Sequence, residues 1–212
     1  MMGKKEKMAN WEKIESKLQV ADIILVRERR LISKVIFKGT DSYWSHSLIV
    51  FSVPDKKSSF KSILVVGAEA RGIEMHRIQK FSKKLNNSYD MGIKRVPNLS
   101  KETREKVLAY MLNNVDIPYD YSRLLAFFIN YLKRLFQRKK NKKNHLKRSL
   151  VNRGAFICSS FIQKAFFEAM PDNEKDSVLF IDNLNARAFL EEVTPADIAN
   201  SKNCDWIYNE HK

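Results

Sequence analysis

The chain has 212 residues, 44% of them hydrophobic and 11% aromatic, which is enough to bury one ordinary globular core and argues against a second domain. Two cysteines are too few for a disulfide framework and stand at no metal-ligand spacing. The formal net charge of +15 favours a polyanionic neighbour, nucleic acid or an anionic lipid surface, without selecting between them.

The opening residues, MMGKKEKMANWEKIESKLQ, lack the apolar segment of about 7–15 residues that a secretory signal requires. With so few cysteines, the expectation is a reduced, cytoplasmic protein. Met8, Trp11, Ile14 and Leu18 are spaced as on a short amphipathic helix. ADIILVR (21–27) is a continuous apolar run of strand length with Asp22 at its mouth, the pattern of a buried strand. An irregular or helical LISKVIFKG (31–39) and a turn at TDSYW (40–44) lead to a second strand over 46–53, which ends in the lysine-rich turn PDKKSS (54–59). SILVVGAE (62–69) and GIEMHRI (72–78) predict two strands around a tight Arg71-Gly72 turn, and MGIKRV (91–96) a further strand stopped by Pro97, giving a meander.

From Ser100 the pattern becomes helical: Ser100 is the N-cap, Glu102 and Thr103 fill the first turn, and Val107, Leu108, Met111 and Leu112 recur at helical spacing. IPYDYS predicts a turn before a second helix, whose most apolar stretch, LLAFFINYL (124–132), is well short of the roughly 20 residues that span a bilayer. RKKNKKNHLKR (138–148) has no apolar periodicity and reads as an exposed basic loop. A third helix follows in GAFICSSFIQKAFFEAM, a last one after Pro195, and DWIYN (205–209) is predicted to close the sheet as a strand.

Cys158 stands where an apolar helix begins, so backbone N–H groups and the helix dipole would favour its thiolate. A thiolate needs a base, and His46 is the best placed of four histidines: it follows the aromatic, polar turn Tyr43-Trp44-Ser45 and opens an apolar strand. His76 has no motif around it, and His145 and His211 fall in segments read as exposed. Glu69, directly after SILVVGA, is a carboxylate whose burial without a partner would be costly, and it could orient His46. Plainer readings stand beside these: a cysteine acting as a small buried hydrophobe, a structural histidine, and a glutamate paired with Arg71 or a backbone donor.

The order His, Glu, Cys is the reverse of a papain-like arrangement, and circular permutation would produce it. ADIILV, SHSLIVF, GAEARGI, PYDYS, FICSSFIQKAF and TPADIANS, in that order over residues 20–202, make the chain resemble the permuted papain-like, NlpC-type cysteine amidases of the YaeF/YiiX group. The family prefers Gly-Asp where this chain has Ala21-Asp22, which bears on the tightness of that turn. The resemblance implies an α+β fold, an antiparallel, barrel-like sheet packed on helices, in a single domain. It implies hydrolysis or acyl transfer at an amide or ester carbonyl by a Cys158-His46-Glu69 triad, with no metal or organic cofactor. It also implies that Tyr119 lines the site and donates to the oxyanion, although a packed helix-start aromatic would look the same. The expected substrate is a peptide-like or lipid-linked amide or ester. The basic loop suggests contact with an anionic membrane surface. Two rival readings remain: a non-catalytic module holding an acyl chain or peptide, and a basic nucleic-acid-binding protein, for which no zinc spacing, helix-turn-helix or RNA-binding signature is present.

Overall fold

The computed structural model describes residues 11–28, 42–54, 62–69, 72–82, 89–114, 158–181 and 186–209. Tyr119, the expected second helix, the basic loop at 138–148, LISKVIFKG, Arg71, His145 and His211 lie outside the described residues. Six strands form one sheet: β1 (Ile23–Glu28), β2 (His46–Ser52), β3 (Leu64–Glu69), β4 (Gly72–Arg77), β5 (Tyr89–Arg95) and β6 (Asp205–Asn209). Their order is β4-β3-β2-β1-β5-β6, and every neighbouring pair is antiparallel. The first four strands pair in chain order. The expected meander of 62–69, 72–78 and 91–96 needs correction, since β5 does not follow β4 but crosses over to pair with the free side of β1, and β6 adds to β5.

The apolar run of β1 reflects cover on both faces. Ile23 and Leu25 join Ile49, Val66, Ala68 and Ile73 in one core, and Ile24 and Val26 join Leu48, Val50, Val65, Met91 and Ile93 in another. Helix α2 (Lys101–Asn113) and helix α3 (Cys158–Ala169) pack on the first face, where α3 contributes Phe161, Ile162, Ala165 and Phe166. Burying a side chain such as Phe161 is worth about 1.5–3 kcal/mol. The helical segment at 11–15, with Trp11, and the single turn α1 (Gln79–Ser82), with Phe81, cover the second face.

Two of the predicted helix starts are found. Ser100 accepts the Thr103 N–H at 3.0 Å, and α4 (Pro195–Asn200) opens on a capping box between Thr194 and Asp197. Two further expectations need correction. The sheet is antiparallel, as expected, but among the described residues its strand order is open, with β4 and β6 as the two ends rather than joined as in a barrel. Leu112 is 50% exposed, because Val107 and Met111 already fill the face that α2 turns to the core. The α3 start is buried, since Ser159 donates to the Val193 carbonyl at 2.6 Å and draws the helix end under that segment.

Two local features fix the sheet's geometry. Asp22, fully buried, accepts from Arg95 Nε at 2.6 Å and Nη2 at 2.7 Å, which ties β1 to β5. Ala21 before it has φ 70°, a left-handed conformation that costs a residue with a Cβ roughly 1–2 kcal/mol; the turn keeps its glycine-like shape without the glycine. At Gly92 a Cβ would lie 2.7 Å from the Trp206 ring and 2.9 Å from that of Trp44, so only glycine lets the two indoles pack over β5.

Candidate active site

The entry to His46 is held by its neighbours. Ser45 donates both its N–H, at 3.0 Å, and its hydroxyl, at 3.2 Å, to the Val26 carbonyl, and accepts the Glu28 N–H at 2.9 Å. The start of β2 is thereby stitched to the end of β1. One residue earlier, Trp44 is buried and exchanges hydrogen bonds with the Ser42 hydroxyl, and Tyr43 donates to Asp90 at 2.8 Å under the Arg27 guanidinium. His46 is thus presented by a fixed turn at a strand end.

The pairing of β2 with β3 runs through Val50↔Val65 and Ile49↔Val66, and beyond it Glu69 at the end of β3 is near enough for its charge to act on His46. Gly67 keeps the two strands close there, since a Cβ would fall 2.5 Å from Leu48 Cδ2 and 3.2 Å from the Ser47 carbonyl oxygen. Helix α3 packs against both strands, and Cys158 is its first residue.

Cys158 and His46, far apart in sequence, meet here. Burial pushes the thiol up, but the His46 imidazole, then the hydroxyl and N–H of Ser47, outweigh it and hold Cys158 below the ordinary thiol range. Burial likewise pushes His46 down, yet Cys158 first, and Glu69 and Glu28 after it, bring the imidazole above its ordinary value. The two shifts are reciprocal and favour a thiolate–imidazolium pair, whose titration belongs to the pair rather than to either residue. His46 Nε2 is buried and closes no hydrogen bond among the described residues.

Glu69 acts on His46 through its charge, while its hydrogen bonds go elsewhere. Lys80 Nζ donates to its two oxygens at 3.2 and 3.1 Å, and His76 Nε2 lies 2.9 Å from Oε1. Burial raises the Glu69 carboxyl, but His46, Lys80 and His76 together hold it below its ordinary range. Sequence reasoning missed Lys80 and His76 as its partners. Their signal lay in register: Val65↔His76 and Gly67↔Glu74 put His76 and Glu74 on the same face of the β3–β4 hairpin as Glu69.

Glu69, Glu74 and His76 also bring three possible metal-ligand atoms within 4.8 Å of one another. Lys80 Nζ sits among them, 2.7 Å from His76 Nε2 and 3.1 Å from Glu69 Oε2. The ammonium supplies the positive charge that the two carboxylates call for, and it uses donor atoms that a metal would need. As arranged, this set does not fit a metal ion.

Neither a protein-family model nor a curated protein matches the chain. Its fold is similar to the solved structure of the metalloprotein yiiX from Escherichia coli O157:H7, DUF1105, with a TM-score of 0.55 and 17% sequence identity over 91% of this chain and 97% of that one. At such identity the likeness is one of fold: a YiiX-like α+β arrangement around an antiparallel sheet. No helix among the described residues is long and apolar enough to cross a membrane.

Proposed function

We propose that the chain is a thiol-dependent hydrolase, or an acyl transferase, acting on an amide or ester carbonyl within a circularly permuted papain-like, NlpC-type fold. The observation that carries this reading is the reciprocal bias of Cys158 towards thiolate and His46 towards imidazolium at the start of α3. Burial alone would drive both groups to their neutral forms, so the bias is the work of their mutual contact.

In this reading the Cys158 thiolate attacks the carbonyl carbon, forming a C–S bond as the carbonyl oxygen takes up negative charge. The Cys158 backbone N–H, at the first position of α3, is a candidate donor to that oxygen. His46, as the imidazolium, returns its proton to the departing amine or alcohol and leaves an acyl-enzyme. It then takes a proton from water or another acceptor, which attacks the thioester and frees the cysteine. Glu69 stabilises the imidazolium by charge, and Tyr119 is assigned to the oxyanion side on the family pattern alone. The proposed substrate is a peptide-like or lipid-linked amide or ester. The yiiX structure is that of a metalloprotein, but with Lys80 holding the acidic cluster no step here runs through a metal.

The test is mass spectrometry of the intact protein after exposure to a panel of acyl and amide electrophiles. A single acyl adduct on Cys158, lost in His46→Ala while the protein stays folded, is expected and would also report the substrate class. Labelling that ignores His46, or that falls on lysines instead, would remove the enzyme reading in favour of a binding module on the same fold.

A further inference from the structure

His46 and Glu69 stand at the same end of the sheet, because β2 opens on the one and the antiparallel β3 closes on the other. The two strands stay close up to that end, where a Cβ at Gly67 would lie 3.2 Å from the Ser47 carbonyl oxygen. Each side chain acts on the other by charge. Their hydrogen bonds are divided differently. His46 Nε2 is buried without a partner among the described residues, while Lys80 Nζ donates to both Glu69 oxygens, at 3.2 and 3.1 Å. The lysine is set there by the single turn α1, whose next residue, Phe81, is buried. The Lys80 side chain is 38% exposed and that of Glu69 23%. An ion pair so open to water contributes little, and a buried nitrogen without a partner is costly. Turning Glu69 inward would satisfy the ring but strip water from the carboxylate, so the two positions are closely balanced.

We infer that Lys80 competes with His46 Nε2 for the Glu69 carboxylate and, in the free protein, holds that carboxylate off the imidazole. The inference rests on His46 being the base, as proposed above, and it makes Lys80 a positioning residue that acts through Glu69. Against Lys80, the carboxylate affects His46 only by its charge. Turned to His46, it accepts the Nε2–H and fixes the ring and its tautomer. An imidazolium has an N–H on both nitrogens, so the need for an acceptor at Nε2 is greatest once His46 has taken the proton. A change of the Glu69 rotamer links the two arrangements and leaves the strands where they are. Loss of the ammonium would favour the imidazolium even if Glu69 stayed still, because one positive charge has gone. The mark of competition is that the effect of Lys80 needs Glu69.

The experiment is an NMR titration of the His46 ring, with iodoacetamide alkylation of Cys158 and Cys204 and thermal melting alongside. The proteins are the parent, Lys80→Met, Lys80→Arg, Glu69→Gln and the Lys80→Met/Glu69→Gln double variant. Lys80→Met is expected to raise the His46 midpoint by about one pH unit and to give an Nε2 proton that is shifted downfield and slow to exchange. Lys80→Arg should behave as the parent, since a guanidinium also offers a carboxylate two donors. Relative to Glu69→Gln, the double variant should show neither change. If Lys80→Met raises the midpoint equally with and without Glu69, Lys80 acts by charge alone and the competition is overturned. A midpoint that falls or stays put in Lys80→Met overturns it as well, Lys80 then being needed to place Glu69 or idle. Cys158 alkylated no faster than Cys204 in every protein ends the catalytic reading and the part of Lys80 in it, even where Glu69 closes on His46. Should Lys80→Met not fold, Lys80→Gln removes the same charge and is read in the same way.

Discussion

Cys158 and Cys204 are almost equally hidden, 4% and 3% exposed, and neither forms a disulfide, yet their surroundings push them in opposite directions. Cys158 opens a helix and faces an imidazole, a hydroxyl and an N–H, and it is held below the ordinary thiol range. Cys204 donates to the Ile198 carbonyl at 3.6 Å, and burial raises it in spite of the nearby Lys94 ammonium. That ammonium only partly offsets the burial, and it also donates to the carbonyls of Ala199 at 2.9 Å and Ser201 at 2.8 Å, where it caps the end of α4. Burial alone therefore does not decide which way a thiol is shifted. What separates the two is whether the neighbouring groups outweigh the cost of burying a charge on sulfur.

The largest effect that could break this comparison is in relative alkylation rate. At neutral pH Cys158 should react more than about tenfold faster than Cys204, since each unit between their thiol pKa values is a factor of ten in thiolate. The advantage should persist as pH falls, until the Cys158 thiolate is protonated below its lowered value, and His46→Ala should erase most of it. Equal rates for the two cysteines would end the distinction. A smaller effect tests the structural side. Lys94→Met strips the Ala199 and Ser201 carbonyls of their donor and should lower stability by about 2 kcal/mol in chemical denaturation, with Cys158 alkylation unchanged. Loss of Cys158 reactivity in that variant would show the two regions to be linked.

The smallest effect sharpens the active side alone. Glu69→Gln keeps the size of the side chain and removes its charge, so the imidazolium is less stabilised and Cys158 alkylation should slow by a few-fold, with Cys204 unaffected. The variant also has a pH signature. Because the Glu69 carboxyl is held below its ordinary value of 4.5, its contribution to stability is present above that value and is lost as pH falls through the lower, folded one. The parent melting temperature should accordingly drop more steeply below about pH 4.5 than that of Glu69→Gln. Parallel curves for the two proteins would mean that Glu69 carries no net favourable charge interaction.

How much of the molecule is legible in its sequence depends on whether the signal is periodic or positional. β1, β2 and β3 are readable because a sheet covered on both faces needs unbroken apolar runs, and α2 and α4 because their caps use serine, threonine and proline for their own backbone geometry. Cys158 and His46 are readable from helix-start and strand-start placement. The 3-10 turns at Lys175–Val178 and Ala186–Glu192 escape such reading, since short segments with no repeat of their own are held by tertiary contacts. Lys94 escapes it as a buried residue because nothing in MGIKRV distinguishes a lysine that reaches solvent from one 1% exposed. Ser47 carries no signal of its own within SHSLIVF.

The chain order of the site has a consequence in time. About 110 residues separate His46 from Cys158, so at roughly 5–20 residues per second a ribosome needs on the order of ten seconds between delivering the base and delivering the sulfur. The meander β1 to β4 can pair during that interval, because its contacts are local. The thiol is activated only when α3 docks across strands that are already in place. A nascent or truncated chain thus carries an imidazole with no nucleophile, and a newly made cysteine is an ordinary, weakly acidic thiol until the fold closes on it. On the function proposed above, reactivity would become a property of the finished protein, sparing the half-made one from acylating itself or its neighbours.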